Sequence, residues 1–97
     1  MRYNFEWDPV KARSNAEKHC VSFEQATEVF KDPMALTLYD DDNASSEEDR
    51  WITLGQANGQ HYLVVAHTYR NQQDNAVTIR LISARPATKR EIKQYEG

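Results

Sequence analysis

From His61 to Arg85 the chain reads HYLVVAHTYRNQQDNAVTIRLISAR, two apolar runs around a polar middle. The runs, His61–Tyr69 and Val77–Arg85, are rich in Val, Ile and Thr, and the segment between them, Arg70–Asn75, contains neither Gly nor Pro. β-Branched runs of this length predict two strands paired as a hairpin. Basic and hydroxylic residues sit toward the strand ends: His67, Tyr69, Arg70, Arg80, Ser83 and Arg85. Cations threaded onto strands that are otherwise core-like call for a function.

Working outward, Asn58-Gly59 just before this hairpin is the strongest tight-turn signal in the chain. It joins Arg50–Ala57 (RWITLGQA), a further strand, to the strand starting at His61. Ala35–Tyr39 (ALTLY) predicts another strand, separated from Arg50 by the acidic loop 40–49 (DDDNASSEED). At the N-terminus Tyr3–Trp7 alternates aromatic and polar residues as a half-buried strand does. Asp8-Pro9 then supplies an N-cap acceptor and a proline at the first helical position, so a helix is expected from Pro9 to about His19. Lys11, Asn15, Lys18 and His19 recur along it at spacings of three and four and share one face or its border.

A second helix is expected from the cap at Ser22, with Gln25 reaching back, Val21 stapled onto Ala26, and Asp32-Pro33 as its end. Pro86 stops the last strand, and Thr88 with Glu91 forms a capping box for a terminal helix from Lys89 to about Tyr95. The expected fold class is α+β in the order β-α-α-β-β-β-β-α, a twisted antiparallel sheet with helices on one side. Residues 1–97 suffice for a single domain with one modest core.

Composition narrows the function. Charged residues make up 28% of the chain and hydrophobic ones 39%, as in a soluble globular protein, and no apolar run approaches the roughly 20 residues of a membrane span. The lone Cys20 excludes an internal disulfide and a cysteine-based zinc site, so the expected location is cytoplasmic. The net charge of −3 conceals an asymmetry: the loop 40–49 holds six of the fifteen acids, whereas from Arg50 onward seven Lys/Arg face three Asp/Glu. A basic C-terminal half suits a polyanionic partner.

Four segments, in this order, resemble the BrnT toxins: F-E-W-D-P-x-K-x-x-x-N-x-x-K-H over Phe5–His19, V-S-F-E-x-A-x-x-V-F-x-D-P over Val21–Pro33, L-V-V-x-H-T-x-R over Leu63–Arg70, and I-R-x-I-S-A-R-x-A-T-x-x-E-x-x-x-Y over Ile79–Tyr95. The resemblance covers nearly the whole chain. It implies a RelE-like fold, a ribonuclease toxin of a type II toxin–antitoxin system, and a DNA-binding antitoxin of the BrnA type as partner. The family usually reads K-H-G where this chain has Lys18-His19-Cys20. A glycine there would serve as a left-handed C-cap, and Cys in that conformation costs on the order of 1 kcal/mol.

Metal-independent RNA cleavage needs a base for the 2′-OH, cations for the phosphoryl oxygens and an acid for the leaving oxygen. His67 is the first acid–base candidate, since an unperturbed imidazole titrates near about 6.5, but a His inside LVVAHTY equally suits a hydrogen-bonded core position. Arg80 and Arg85 are the leading phosphate ligands, with Arg70 behind them, because guanidinium forks match phosphate oxygens. On a flat strand Ser83 and Arg85 share a face and Arg80 takes the opposite one. Lys18 and His19 suit the negative end of the first helix, and their catalytic reading rests on the family pattern. Tyr95 is a candidate acid or base-stacking group. No cofactor and no metal are expected, because the carboxylates are concentrated in a Ser-containing loop rather than on a rigid element. The alternative function is a non-catalytic module whose basic face docks a protein or nucleic acid.

Overall fold

The computed structural model describes residues 2–41, 48–73 and 76–97, so most of the acidic loop and the tip of the hairpin expected at Arg70–Asn75 lie outside the described residues. The elements run β1 (Arg2–Glu6), α1 (Pro9–His19), α2 (Phe23–Thr27), a 3-10 helix (Glu28–Lys31), β2 (Leu36–Tyr39), β3 (Trp51–Ala57), β4 (His61–Gln73), β5 (Ala76–Pro86) and α3 (Lys89–Glu96). The five strands form one sheet in the order β1-β5-β4-β3-β2. The expected order of elements holds, and β2 to β5 form the antiparallel meander. Three details differ. The segment read as one second helix is a short α-helix that tightens into a 3-10 helix. β1 joins the sheet parallel to β5, so the sheet is mixed. The helices do not all lie on one side, because Glu91 and Gln94 of α3 lie against Leu54 and Val64 on the face opposite the other helices.

The inner face carries the core. Phe23, Ala26 and Val29 from the helices pack with Ala57, Leu63, Val65, Val77, Ile79, Leu81 and Ala84 from the strands, and Trp7 meets Phe23 edge-on at 5.8 Å. Burying a side chain such as Phe23 or Ile79, each 0% exposed, stabilises the fold by about 1.5–3 kcal/mol. Gly55 lets the helical layer approach β3, since a Cβ there would lie 3.0 Å from both Val29 Cγ1 and Ala35 Cβ.

Local signals in the sequence are met at each corner. Asp8 Oδ1 accepts Val10 N–H at 2.9 Å and Ser22 Oγ accepts Gln25 N–H at 3.0 Å. Thr88 and Glu91 form both halves of the capping box. Asn58 and Gly59 have φ of 55° and 68°, and Gln60 N donates to Ala57 O at 3.1 Å, the two-residue primed turn that suits strand twist. Cys20 takes a left-handed C-cap conformation, φ 59° and ψ 30°, which glycine adopts most readily. The corner therefore keeps its shape at a modest cost in backbone energy.

Candidate functional site

The site is organised by an irregularity in β5. From Leu63 to Ala66 the β4 partners are Pro86, Arg85, Ala84 and Ser83, yet His67 pairs with Leu81 and Thr68 with Arg80, leaving Ile82 without a counterpart. This β-bulge reverses the alternation of β5 on either side of Ile82. Arg85, Ser83 and Arg80 consequently lie opposite Val64, Ala66 and Thr68, alternate residues of β4 that share the outer face. Arg70 belongs to the same set, paired with Thr78. The flat-strand expectation that Arg80 faces away from Ser83 and Arg85 is thus corrected. Arg70, Arg80, Ser83 and Arg85 form one file over about 20 Å of the outer face.

The arginines of this file are partly neutralised. Arg80 Nη1 donates to Glu6 Oε2 at 2.8 Å, across the parallel β1–β5 pair. Arg85 binds Glu91 through both its Nη atoms, each at 2.8 Å, and Glu91 Oε1 also accepts Thr88 N–H in the cap of α3. The Arg85 fork, with help from that cap, holds the Glu91 carboxyl down to about 2. A phosphate reaching Arg85 therefore exchanges one charged acceptor for another rather than binding a bare guanidinium.

The α1 residues reach this file at its edge. β1 ends opposite Arg80, so the edge of β5 beyond it is open to α1. Asn15, 7% exposed, closes that edge: its Nδ2 donates to Ala84 O at 2.9 Å and to Val21 O at 3.0 Å, and its Oδ1 accepts Ala84 N–H at 3.0 Å. The carboxamide takes the place of a neighbouring strand. It seats α1 so that Lys11, Ser14, Lys18 and His19 face Ile82 and Ser83 across a shallow depression of about 200 Å³. Lys18, His19 and Ser83 are thus brought together, while Asn15 and Lys11, seen in the sequence only as parts of a polar stripe, hold or line the same place. The signal for Asn15 was its spacing from Lys18 and His19, and nothing in its residue type distinguishes a buried edge plug from a solvated side chain.

His67 and Tyr95 lie elsewhere. His67 is 0% exposed, with its ring edge-on to Phe30 at 4.9 Å and to Tyr69 at 5.1 Å. Its Nε2 is 2.7 Å from Thr53 Oγ1, which is 2.9 Å from Thr37 Oγ1. Burial pushes the imidazole down to about 4, so it is neutral at physiological pH. Of the two roles open to His67 in the sequence, this placement suits the core one, because an enclosed ring on the inner face cannot touch an RNA phosphate in this conformation. Tyr95 Oη donates to Asp32 Oδ2 at 2.7 Å, and that bond raises the phenol to about 12. Partial burial opposes ionisation of Asp32, but Gln56 N–H, Tyr95 Oη–H and Met34 N–H outweigh it and lower its pKa. Tyr95 thereby ties α3 to the loop after the 3-10 helix, a structural use.

Among the described residues no group of three His, Cys, Asp or Glu side chains is arranged to hold a metal ion, and no helix is long and apolar enough to cross a membrane.

No curated protein sequence matches the chain. Among solved structures it resembles the 1.1 Å crystal structure of the ribonuclease toxin BrnT from Brucella abortus, with a TM-score of 0.58, 20% identity, and coverage of 92% of this chain and 100% of that one. That likeness shows the fold. Residues 7–91 match the family described as the ribonuclease toxin BrnT of type II toxin–antitoxin systems. With the match running from Trp7 to Glu91, through α1, the bulged strand and the cap of α3, the chain belongs to the BrnT family of ribonuclease toxins.

Proposed function

We propose that the chain cleaves RNA on the outer face of its sheet, without a metal, in the groove where α1 meets β5. The observation that carries this reading is the bulge at Ile82, which sets Arg70, Arg80, Ser83 and Arg85 in one file beside Lys18 and His19. The phosphate backbone lies along that file. Arg85, released from Glu91 by the incoming anion, and Lys18 stabilise the charge that develops on the scissile phosphoryl oxygens. His19, at the C-terminus of α1 and beside Ser83, transfers the proton between the 2′-OH and the leaving 5′-oxygen. Arg80 and Arg70 hold the flanking phosphates. Ser83, exposed on the strand, hydrogen-bonds substrate oxygens.

The RNA substrate and an antitoxin partner follow from the family. The finer reading is that the antitoxin is of the BrnA type, forms a hetero-oligomer with the toxin in the cytoplasm, and neutralises it by covering this basic file.

The test is cleavage of a structured RNA by the purified chain, freed of any partner, in excess EDTA, beside its Arg85→Ala and Lys18→Ala variants. Discrete cleavage by the parent and a loss of about a hundredfold or more in each folded variant is the expected result. Cleavage that vanishes with EDTA and returns with Mg²⁺ would contradict the metal-independent mechanism. Cleavage untouched by both substitutions would place the site elsewhere.

A further inference from the structure

Three residues that line the depression between α1 and β5 have no part in the cleavage chemistry: Lys11, Ser14 and Ile82. Lys11, Ser14 and Lys18 follow one another at intervals of three and four, so they rise along one face of α1. Asn15 pins the middle of that helix to Ala84. β1 runs parallel to β5 and ends with Glu6 opposite Arg80, and α1 begins three residues later at Pro9. The helix therefore starts toward the Arg80 end of the β5 edge and finishes toward Arg85. Lys11 precedes Lys18 by about 10 Å along its axis. Every lining residue belongs to α1 or β5, and the sheet order places β2, the strand that leads into residues 42–47, at the opposite edge.

Ile82 supplies the opposite wall. It is the extra residue of the bulge, half-buried, and the change of phase turns it into the depression. An apolar wall offers nothing to a phosphate, but it covers one face of a planar nucleobase. The polar groups beside it are of one kind. Lys11 only donates, and among the described residues it forms no ion pair, unlike Arg80 and Arg85. Ser14 and Ser83 add exposed hydroxyls. The carboxamide of Asn15 is engaged by Ala84 and Val21, and no carboxylate is among the lining residues described. A donor-rich rim selects a base by its acceptors. Adenine and cytosine present an exocyclic amino group, which needs an acceptor, and uracil presents the single carbonyl O4. Guanine presents O6 and N7 side by side, and a lysine ammonium spans both.

We infer that this end of the depression is a base-recognition subsite for guanine in single-stranded RNA. The ring lies against Ile82, O6 and N7 accept from Lys11, and the Ser14 hydroxyl stands at the rim. The subsite's position beside the scissile phosphate rests on the ribonuclease reading above, whereas its preference for guanine depends on residues outside the cleavage chemistry.

The probes are four uridine hexamers carrying G, A, C or U at the third position, with every 2′-hydroxyl replaced by fluorine so that none can be cut. Their dissociation constants are measured at low salt against the full chain and its Lys11→Met and Arg13→Met variants. Arg13→Met removes an equal charge from an exposed position of α1 outside the depression. Melting curves establish that both variants are folded. The parent should bind the G strand about tenfold or more tighter than the other three. Lys11→Met should bring the four strands to within about twofold of one another, whereas Arg13→Met should weaken all four alike and keep the ratio. Equal binding of the four strands, no binding of any, or a preference for another base would overturn the inference. A ratio that survives Lys11→Met, or falls equally in Arg13→Met, would overturn it too. The same sequences as RNA, incubated in EDTA, should be cut at a fixed distance from guanine. Cleavage indifferent to the base would overturn the subsite and leave the ribonuclease reading intact. Guanine-selective binding without cleavage would uphold the subsite and overturn that reading.

Discussion

The two faces of this sheet are built from alternate residues of the same strands, yet they are held together by different physics. On the inner face Leu63, Val65, Ile79, Leu81 and Ala84 are at most 2% exposed and meet a helical layer of Phe23, Ala26 and Val29. His67 on this face is buried and neutral at physiological pH. On the outer face Arg80 and Arg85 are held by carboxylates of neighbouring elements, Glu6 and Glu91, and α3 has no buried residue. Burial fixes the inner face, and on the outer one ion pairs between neighbouring elements add to the burial of Leu54, Val64 and Thr68. Charged groups that must release one anion to take another belong on a face of the second kind.

This contrast sets an order of expected effects. Phe23→Ala, at the centre of the inner face, should cost about 3–5 kcal/mol, measured as the shift in denaturant midpoint. Leu38→Ala on the outer face should stay within about 0.5 kcal/mol in the same measurement. Equal losses at the two positions would dissolve the distinction.

Asn15→Leu comes next, because it removes a carboxamide that satisfies both backbone groups of Ala84 and the carbonyl of Val21. Leaving them buried and unpaired should cost about 2–3 kcal/mol. It should also lower cleavage at temperatures where the variant is still folded, since the seat of Lys18 and His19 is lost.

The imidazoles offer a test by pH. His67 has a folded pKa of about 4 against an ordinary 6.5, so the unfolded chain takes up its proton first. Its contribution to stability is complete above about pH 6.5 and is lost as pH falls toward 4, by an amount on the order of 3 kcal/mol. The melting temperature should therefore drop between pH 7 and 4.5 in the parent and drop less in His67→Gln. A parallel fall in both would mean that another group sets the acid limb.

A small effect on stability is expected at the ion pair nearest the proposed site. Glu91→Gln removes the carboxylate from an exposed pair and weakens the cap of α3, for about 1 kcal/mol or less. It should at the same time tighten RNA binding at low salt, because Arg85 then has no anion to exchange. A variant that binds RNA more weakly would show that Glu91 positions Arg85 rather than competing for it.

Much of the fold was legible because its signals are local. The capping box at Thr88–Glu91, the Asp8-Pro9 helix start, the Asn58-Gly59 turn and the period-2 runs each act within a few residues. What escaped depends on residues distant in sequence. The parallel pairing of β1 with β5 joins segments more than 70 positions apart, and Asn15 meets Ala84 across 69. The bulge has no such partner to blame: Arg-Leu-Ile-Ser-Ala-Arg reads as unbroken alternation, and only the paired β4 register reveals that Ile82 is an extra residue. That single insertion moved Arg80 onto the face of Arg85. The candidate site was legible as a set of residue types, with Lys18, His19 and Ser83 meeting in space, while His67 was ambiguous because a strand sequence does not say which of its faces a helix covers.

The most direct experiment compares the two histidines on either side of that division. RNA cleavage in excess EDTA should be measured for the parent, His19→Gln and His67→Gln, each normalised to the folded fraction. Loss of cleavage in His19→Gln with an unchanged melting temperature, beside near-parental cleavage in His67→Gln, is the expected result. Cleavage retained by His19→Gln and lost from a folded His67→Gln would move the chemistry to the inner face and contradict the assignment of the outer face as the active one.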